Sequence, residues 1–254
     1  VPFLFGFLVY QHFVRNRESN EALCFSIGFG FSFLYILLYV ENRYLGMSFA
    51  LSNLLSTNLF IAFFSLILWL NNKHTLKLSS SKEYFEIVKK YLISYTYISS
   101  PHKYILMFLS ILYFFVFYKS IFFPILGEDT VKLYSYLSKR IFIDQSLPSS
   151  YSIVYTSSGY STPNMPLLIP AYLSILSGSY NEIYLKILPP LTSLLSCLLI
   201  VRLSNLCYPK METGLYSLAL FLFIPSTVYI SIEFMQDIFM LFFFLLSINF
   251  LLKF

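Results

Sequence analysis

Residues 104–124 read YILMFLSILYFFVFYKSIFFP, an apolar run in which Lys119 is the single charged residue. A helix needs about 20 consecutive, mostly apolar residues to cross the hydrocarbon core of a bilayer. Comparable runs occupy residues 23–40, 46–70, 183–204, 214–230 and 238–254. These runs are continuous, whereas the strands of a membrane barrel alternate apolar and polar residues over about ten positions. The sequence therefore predicts an all-α, polytopic transmembrane helical bundle.

The composition agrees with a membrane protein. Of the 254 residues, 57% are hydrophobic and 11% are charged, whereas an average soluble domain has about 25% charged residues. Most of the basic residues behind the net charge of +5 lie in the predicted loops, so membrane orientation explains the charge better than nucleic-acid binding does. Cys24, Cys197 and Cys207 are isolated within or beside apolar runs, which predicts packed, reduced thiols and not a metal set.

The termini and the loops suggest two parts in a longer protein. The chain begins with half a span, VPFLFGFLVY, and stops as the last apolar run finishes, so we expect a fragment that lacks its C-terminal portion. We assign residues 1–103 to N-terminal transmembrane helices with a cytoplasmic loop. Residues 104–254 form the predicted functional core.

Basic residues predict which side of the membrane each loop faces. Cytoplasmic loops carry an excess of Lys and Arg, and residues 71–103 contain six lysines against two glutamates. We therefore place that loop inside, so the run 104–124 leads outward to the loop 125–182. The run 183–204 then returns to the inside, and the run 214–230 leads outward again to the acidic segment 231–237.

Two shorter segments are predicted to lie at the outer interface. Residues 166–176, PLLIPAYLSIL, have about half the length of a span, and a full crossing would invert the charge distribution of every later loop. In residues 131–143, Leu133, Leu137 and Ile141 recur at a spacing of four with basic residues between them. This pattern is typical of an amphipathic helix lying along the membrane, so the outer loop is expected to carry juxtamembrane helices.

Acidic residues near the outer face are the candidates for chemistry. The three aspartates are Asp129, Asp144 and Asp237, and Glu128 stands beside the first of them. Glu233 precedes Asp237 by four positions, so the two share a face if that segment is helical. Two acidic clusters at one membrane face can bind a divalent cation or supply a general base. A solvated loop with ordinary surface acids is the alternative reading.

The order of motifs along residues 104–254 resembles the GT-C superfamily of membrane glycosyltransferases, in particular protein O-mannosyltransferase-like and aminoarabinose-transferase-like enzymes. The order is a long span, Gly127 with two acids, an interfacial helix rich in Tyr and Leu, PxxPLLIPAYLSIL, a span opening with KxxPPL, PxxxYxxxExxxD and a last span. Each motif is short, and the resemblance rests on their order and spacing.

The resemblance implies roles for particular residues. The first outer loop of that family carries an acidic motif and the second carries another acid, so Glu128, Asp129 and Asp237 are the expected catalytic residues. We assign the general base to Asp129. The family commonly has Asp before Glu and often an arginine in the second loop, whereas this chain has the reverse order and no such arginine. Which of Glu128 and Asp129 is catalytic therefore stays open.

The remaining assignments concern ligands and partners. Asp129 and Asp237 are candidate ligands of a divalent cation, Mg²⁺ or Mn²⁺. The candidates for substrate binding are Glu233, Lys132, Lys139, Arg140 and Tyr160. For the basic members of that set, anionic lipid headgroups are an equally suitable ligand.

The expected activity is transfer of a sugar from a polyprenyl-phosphate donor to a protein, glycan or lipid acceptor. The expected location is the cell membrane, with the active site facing the outside or the lumen. Membrane lipids are expected partners and nucleic acids are not. A transporter or a non-catalytic membrane assembly subunit is the alternative. The middles of the spans contain few of the ionisable positions that mark a transport pathway, while an assembly subunit would leave the outer acids without a role.

Overall fold

The structure, a computed structural model, describes residues 1–14, 19–72, 100–124, 134–147, 165–208, 210–233 and 236–252. This part of the chain is a helical bundle and contains no strand. Its helices are α1 (Pro2–Phe13), α2 (Ser19–Arg43), α3 (Leu51–Asn72), α4 (Ser100–Phe122), α5 (Tyr136–Asp144), α6 (Met165–Ser177), α7 (Ile183–Cys207), α8 (Met211–Phe223), α9 (Pro225–Ile232) and α10 (Gln236–Leu251).

Four of these helices are long and apolar enough to cross a membrane. The qualifying stretches are Glu21–Arg43, Leu51–Asn71, Pro101–Phe122 and Ile183–Cys207. Each coincides with a predicted run, because an uninterrupted series of about 20 apolar residues satisfies its backbone hydrogen bonds internally only as a helix. The prediction of a transmembrane helical bundle is confirmed.

The run 214–230 differs from a single straight span. It is divided into α8 and α9, which meet at an angle of 74°. The break falls at Ile224 and Pro225, where proline supplies no backbone N–H and its ring obstructs the preceding turn. Counting this bent pair as one crossing gives a fifth span.

The last predicted run, 238–254, is a shorter helix than expected. α10 has 16 residues, or about 24 Å at 1.5 Å per residue, against a hydrocarbon core of about 30 Å. Residues 253 and 254 lie outside the described part of the chain.

α7 is the central element, with α2, α4, α6, α8, α9 and α10 packed around it. Ion pairs and hydrogen bonds between these helices define two ends of the bundle. At the Arg202 end, α7 and α10 finish where α2 begins, since the Arg202 side chain contacts both Glu21 and Asn249. At the Asp237 end, α4 and α9 finish where α7 and α10 begin. The two names are used below without assigning a side of the membrane.

The two short helices, α5 and α6, lie at the Asp237 end. The buried face of α5 carries Leu137 and Ile141, as the spacing of four predicted, while Leu133 lies outside the described residues. α6 is a 13-residue helix over the predicted segment 166–176. Unlike a helix resting on a bilayer surface, α6 is buried over most of its described length, because α2, α3, α5 and α7 all pack against it.

Candidate functional site

The first part of the site is the start of α10. Asp237 lies in the first turn of this helix and is exposed. Glu233 follows α9 and is half-buried, with extended backbone angles of φ −86° and ψ 145°. The condition for Glu233 and Asp237 to share a helical face is not met, because the chain leaves the helix at Glu233. The two acids lie on separate elements at the same end of the bundle.

An apolar cluster fixes the position of Asp237 by holding the next two residues. Ile238 and Phe239 are buried and pack with residues from the starts of three other elements. These neighbours are Tyr134, Leu137, Leu167 and Leu185. Close packing of these apolar side chains holds α5, α6, α7 and α10 together immediately beside the aspartate.

The second part of the site is the end of α4, which contacts two other helices through one side chain. The Ser120 hydroxyl lies 2.6 Å from the carbonyl oxygen of Lys186 in α7. The same hydroxyl lies 3.1 Å from the carbonyl oxygen of Ile232, the last residue of α9. The end of α4 and the end of α9 are therefore adjacent, and each is followed by one of the acidic segments.

Tyr180 ties the loop before α7 to the start of α5. Its hydroxyl donates to the carbonyl oxygen of Ser135 at 3.3 Å, and its ring packs against Phe142. Burial raises the pKa of the Tyr180 hydroxyl above its ordinary value, so this group stays a neutral donor at physiological pH. The contact adds a polar connection to the apolar cluster described above.

Several residues assigned from the sequence lie outside the described residues. They are Glu128, Asp129, Lys132 and Tyr160. Their roles, and the expected approach of Asp129 to Asp237, stay predictions. In the sequence, Glu128, Asp129 and Lys132 lie between the described residues Pro124 and Tyr134.

The two described basic candidates belong to α5. Lys139 and Arg140 are both exposed, and Arg140 forms an ion pair with Asp144 one turn later on the same helix. This pairing gives Asp144 a local role and leaves Lys139 as the more accessible cation. Neither residue lies on the buried face of α5, so both remain compatible with binding phosphate or lipid headgroups.

The cation assignment stays a prediction. Among the described residues, no three His, Cys, Asp or Glu side chains come together as a metal-binding group. Asp237 is the single described member of the proposed ligand pair, since Asp129 lies outside the described part. Mg²⁺ and Mn²⁺ take several oxygen ligands, so Asp237 alone cannot define such a site.

The structure also contains a buried polar network that the sequence analysis did not identify. At the Arg202 end, Arg202 Nη2 lies 3.1 Å from Glu21 Oε2, and the Tyr10 hydroxyl donates to the same oxygen at 2.9 Å. Arg202 Nη1 donates to Asn249 Oδ1 at 2.8 Å. Arg202 is a charge inside an apolar run, and that signal alone predicts a buried acidic partner.

No protein-family model, curated protein or solved structure matches this chain. At the Asp237 end, α4, α5, α7, α9 and α10 meet. Glu233 directly follows α9 at this end, and Asp237 lies in the first turn of α10.

Proposed function

We propose that this chain is the membrane core of a GT-C-like glycosyltransferase, with its active site at the Asp237 end. The observation that carries the proposal is the Ser120 contact, which brings the ends of α4 and α9 together. Glu128 and Asp129 follow α4 in the sequence, while Glu233 and Asp237 follow α9. The GT-C enzymes that residues 104–254 resemble carry acids on two outer loops, so two acidic segments that follow adjacent helix ends support transfer from a lipid-linked donor.

The proposed reaction uses one carboxylate as a general base. It removes the proton of an acceptor hydroxyl as the oxygen attacks the anomeric carbon and the bond to the lipid phosphate breaks. Asp129 is the proposed base, and Glu128 and Asp237 position the acceptor. The leaving phosphate carries the negative charge that develops, and cations such as Lys132 or Lys139 stabilise it.

The position of buried charge favours this reaction over transport. The buried ion pair between two of the long spans, Glu21–Arg202, lies near helix ends. Transport pathways place ionisable residues or broken helices near the middle of the bilayer. The bend between α8 and α9 is the described feature that most resembles such a break, and a flux assay therefore accompanies the transfer assay below.

The test uses membranes that contain the full-length protein and polyprenyl-phosphate-linked hexoses and pentoses with tritium in the sugar. Label leaving the lipid fraction for an acceptor fraction measures transfer. We expect Asp129→Asn to reduce transfer by about 100-fold or more, because removal of a general base costs this much. Asp237→Asn is expected to reduce it less, since that residue positions the acceptor.

Glu182→Gln is the matched control, because Glu182 is an exposed acid at the same end of the bundle. Its transfer rate should equal that of the unmodified protein. An Asp129→Asn variant that transfers sugar at the normal rate would remove the base assignment. Absence of transfer from every donor, together with solute flux that depends on these acids, would replace the proposal with a transporter.

A further inference from the structure

The proline pair within α7 leaves backbone carbonyl groups without their usual helical partners. Pro189 and Pro190 lie inside this 25-residue helix. In an α-helix the N–H of each residue donates to the carbonyl four positions earlier, and proline has no N–H. The carbonyl of Lys186 therefore lacks the donor that residue 190 would supply. In a membrane such groups are paired by side chains from neighbouring helices.

α4 supplies such a side chain for the carbonyl of Lys186. The Ser120 hydroxyl is 2.6 Å from this oxygen, so it stands where the missing amide hydrogen would act. Tyr113 lies seven residues earlier on the same face of α4, because seven residues are close to two helical turns. Its hydroxyl donates to the carbonyl oxygen of Pro190, which already has the N–H of residue 194 as its helical partner. Ser120 is therefore the side chain that replaces a missing donor, and Tyr113 adds a second polar contact between α4 and α7.

Ser120 also reaches a third helix. Its hydroxyl is 3.1 Å from the carbonyl oxygen of Ile232, the last residue of α9, and the last carbonyls of a helix have no partner within that helix. The serine is 4% exposed, so water does not readily replace this contact. A second hydroxyl pair supports the same junction, since Ser231 Oγ of α9 donates to Ser193 Oγ of α7 at 2.8 Å.

We propose that Ser120 is the positioning residue of the Asp237 end. Its single hydrogen, shared between the carbonyl oxygens of Lys186 and Ile232 in a three-centre hydrogen bond, replaces the amide that Pro190 lacks and holds the end of α9 against α4 and α7. In the sequence it stands eight residues before Glu128, and its Ile232 contact stands one residue before Glu233, so both acidic segments follow helices that this hydroxyl joins. The joining of the helices is independent of the proposed function, whereas the effect on catalysis rests on it.

The first experiment measures melting temperature in detergent. Ser120→Ala is expected to lower it by about 2–6 °C, because a buried carbonyl loses its donor. Ser120→Thr retains the hydroxyl and should restore most of the loss. Pro190→Ala returns an amide to position 190. The decrease in melting temperature of the double variant Ser120→Ala/Pro190→Ala should therefore be clearly smaller than the sum of the decreases of the two single variants.

Ser65→Ala is the matched control for these measurements. Ser65 is a buried serine of α3 whose hydroxyl donates to the carbonyl of Ile61 in its own helix. The carbonyl of Ile61 already has the N–H of residue 65 as a helical partner. Removal of the Ser65 hydroxyl should therefore shift the melting temperature by less than 2 °C. Equal losses for Ser65→Ala and Ser120→Ala would contradict a special role for Ser120.

The second experiment measures the distance between α4 and α9 with pairs of spin labels. Phe123 and Tyr229 are exposed labelling sites, and Cys207→Ser removes the exposed native cysteine. Ser120→Ala should shift or broaden the distance distribution, and Ser120→Thr should restore it. Pro190→Ala should not restore it, because the Ile232 carbonyl belongs to another helix. The distance distribution of a second label pair, at Tyr104 and Leu220, should be the same with and without Ser120→Ala.

The third measurement connects position to catalysis. Ser120→Ala should lower kcat for sugar transfer by about tenfold or more and leave KM for the lipid-linked donor unchanged, because misplacing a catalytic group affects the chemical step. Ser120→Thr should restore kcat. An unchanged α4–α9 distance in Ser120→Ala overturns the inference. A changed distance in a protein without transferase activity overturns the proposed function and leaves the helix junction established.

Discussion

At the scale of single residues, the Glu21–Arg202 pair accounts for two charges within apolar helices. Glu21 is fully buried and Arg202 is 8% exposed. Two charges removed from water are tolerated better when they pair closely and gain further hydrogen bonds. Tyr10 and Asn249 contribute those additional bonds, so four helices meet around one ion pair. The pair therefore specifies how α1, α2, α7 and α10 assemble.

The first prediction concerns Glu21. Glu21→Gln leaves Arg202 as a buried, uncompensated charge, and removal of one partner from such a pair destabilises a protein by roughly 3 kcal/mol. For a chain of this size we expect a decrease in melting temperature of about 6–12 °C in detergent. Glu212→Gln is the control, since Glu212 is a largely exposed acid of α8 at the same end. A decrease no larger than that of the control would show that the pair contributes little.

The sequence predicts some of these residue contacts and not others. The spacing of Leu137 and Ile141 gives the buried face of α5, because contacts along one helix depend on local periodicity. The pairing of Glu21 with Arg202 joins residues far apart in the chain, and no local pattern specifies such a partner. The same limit applies to Ser120, where the proline pair signals unpaired carbonyls but does not identify the helix that satisfies them.

At the scale of elements, α1 and α2 approach closely through two glycines. A Cβ atom built at Gly6 would overlap the carbonyl oxygen of Ser26, and one at Gly30 would overlap the carbonyl oxygen of Pro2. Small residues allow helix backbones in a membrane to approach and gain close packing. The two helices run antiparallel, since Pro2 meets Gly30 and Tyr10 meets Glu21.

The second prediction tests this close approach. Gly30→Ala forces α1 away from α2, and overpacking of this kind costs about 1–3 kcal/mol. Gly28→Ala is the control, because its Cβ would meet the flexible side chains of Leu246 and Phe242 at 3.0 Å and not a backbone. Alanine also favours a helix over glycine by about 1 kcal/mol. Melting temperatures should therefore fall for Gly30→Ala and change little for Gly28→Ala.

Hydropathy predicts the elements better than it predicts their angles. Four long spans follow directly from apolar runs of sufficient length. Pro225 signals a break in the fifth span, which consists of α8 and α9. The 74° angle between these two helices depends on how α9 packs against α4 and α7. Similarly, the length of α6 follows from residues 166–176, whereas its burial depends on neighbours contributed by distant segments.

At the scale of the whole molecule, the N-terminal helices and the predicted core pack into one bundle. α2 contacts α6, α7 and α10, and the Glu21–Arg202 pair crosses the boundary between residues 1–103 and residues 104–254. The proposed site lies at the opposite end from this ion pair. The assembly of the bundle and the chemistry of the Asp237 end can therefore be tested by separate substitutions.

The last prediction concerns the orientation of the molecule. The basic residues favour a cytoplasmic Arg202 end, which would place Asp237 on the outer or lumenal side. Cys207 is exposed at the Arg202 end, while Cys24 and Cys197 are buried and should not react. A membrane-impermeant maleimide reaches the outer face of intact cells, and it reaches the cytoplasmic face of sealed microsomes. Labelling of the unmodified protein in these two preparations can therefore report the side on which Cys207 lies.

For the Asp237 end, Ser179→Cys in a Cys207→Ser background introduces one exposed thiol in the loop before α7. In intact cells the reagent should label this variant and should reach Cys207 of the unmodified protein only after the membrane is opened. In sealed microsomes the pattern should be reversed. Labelling of Cys207 from the outer side, with Ser179→Cys protected, would place the acids in the cytoplasm. A donor presented on the outer or lumenal leaflet could then not reach them, so the orientation measured at two positions decides which lipid-linked donors the protein can use.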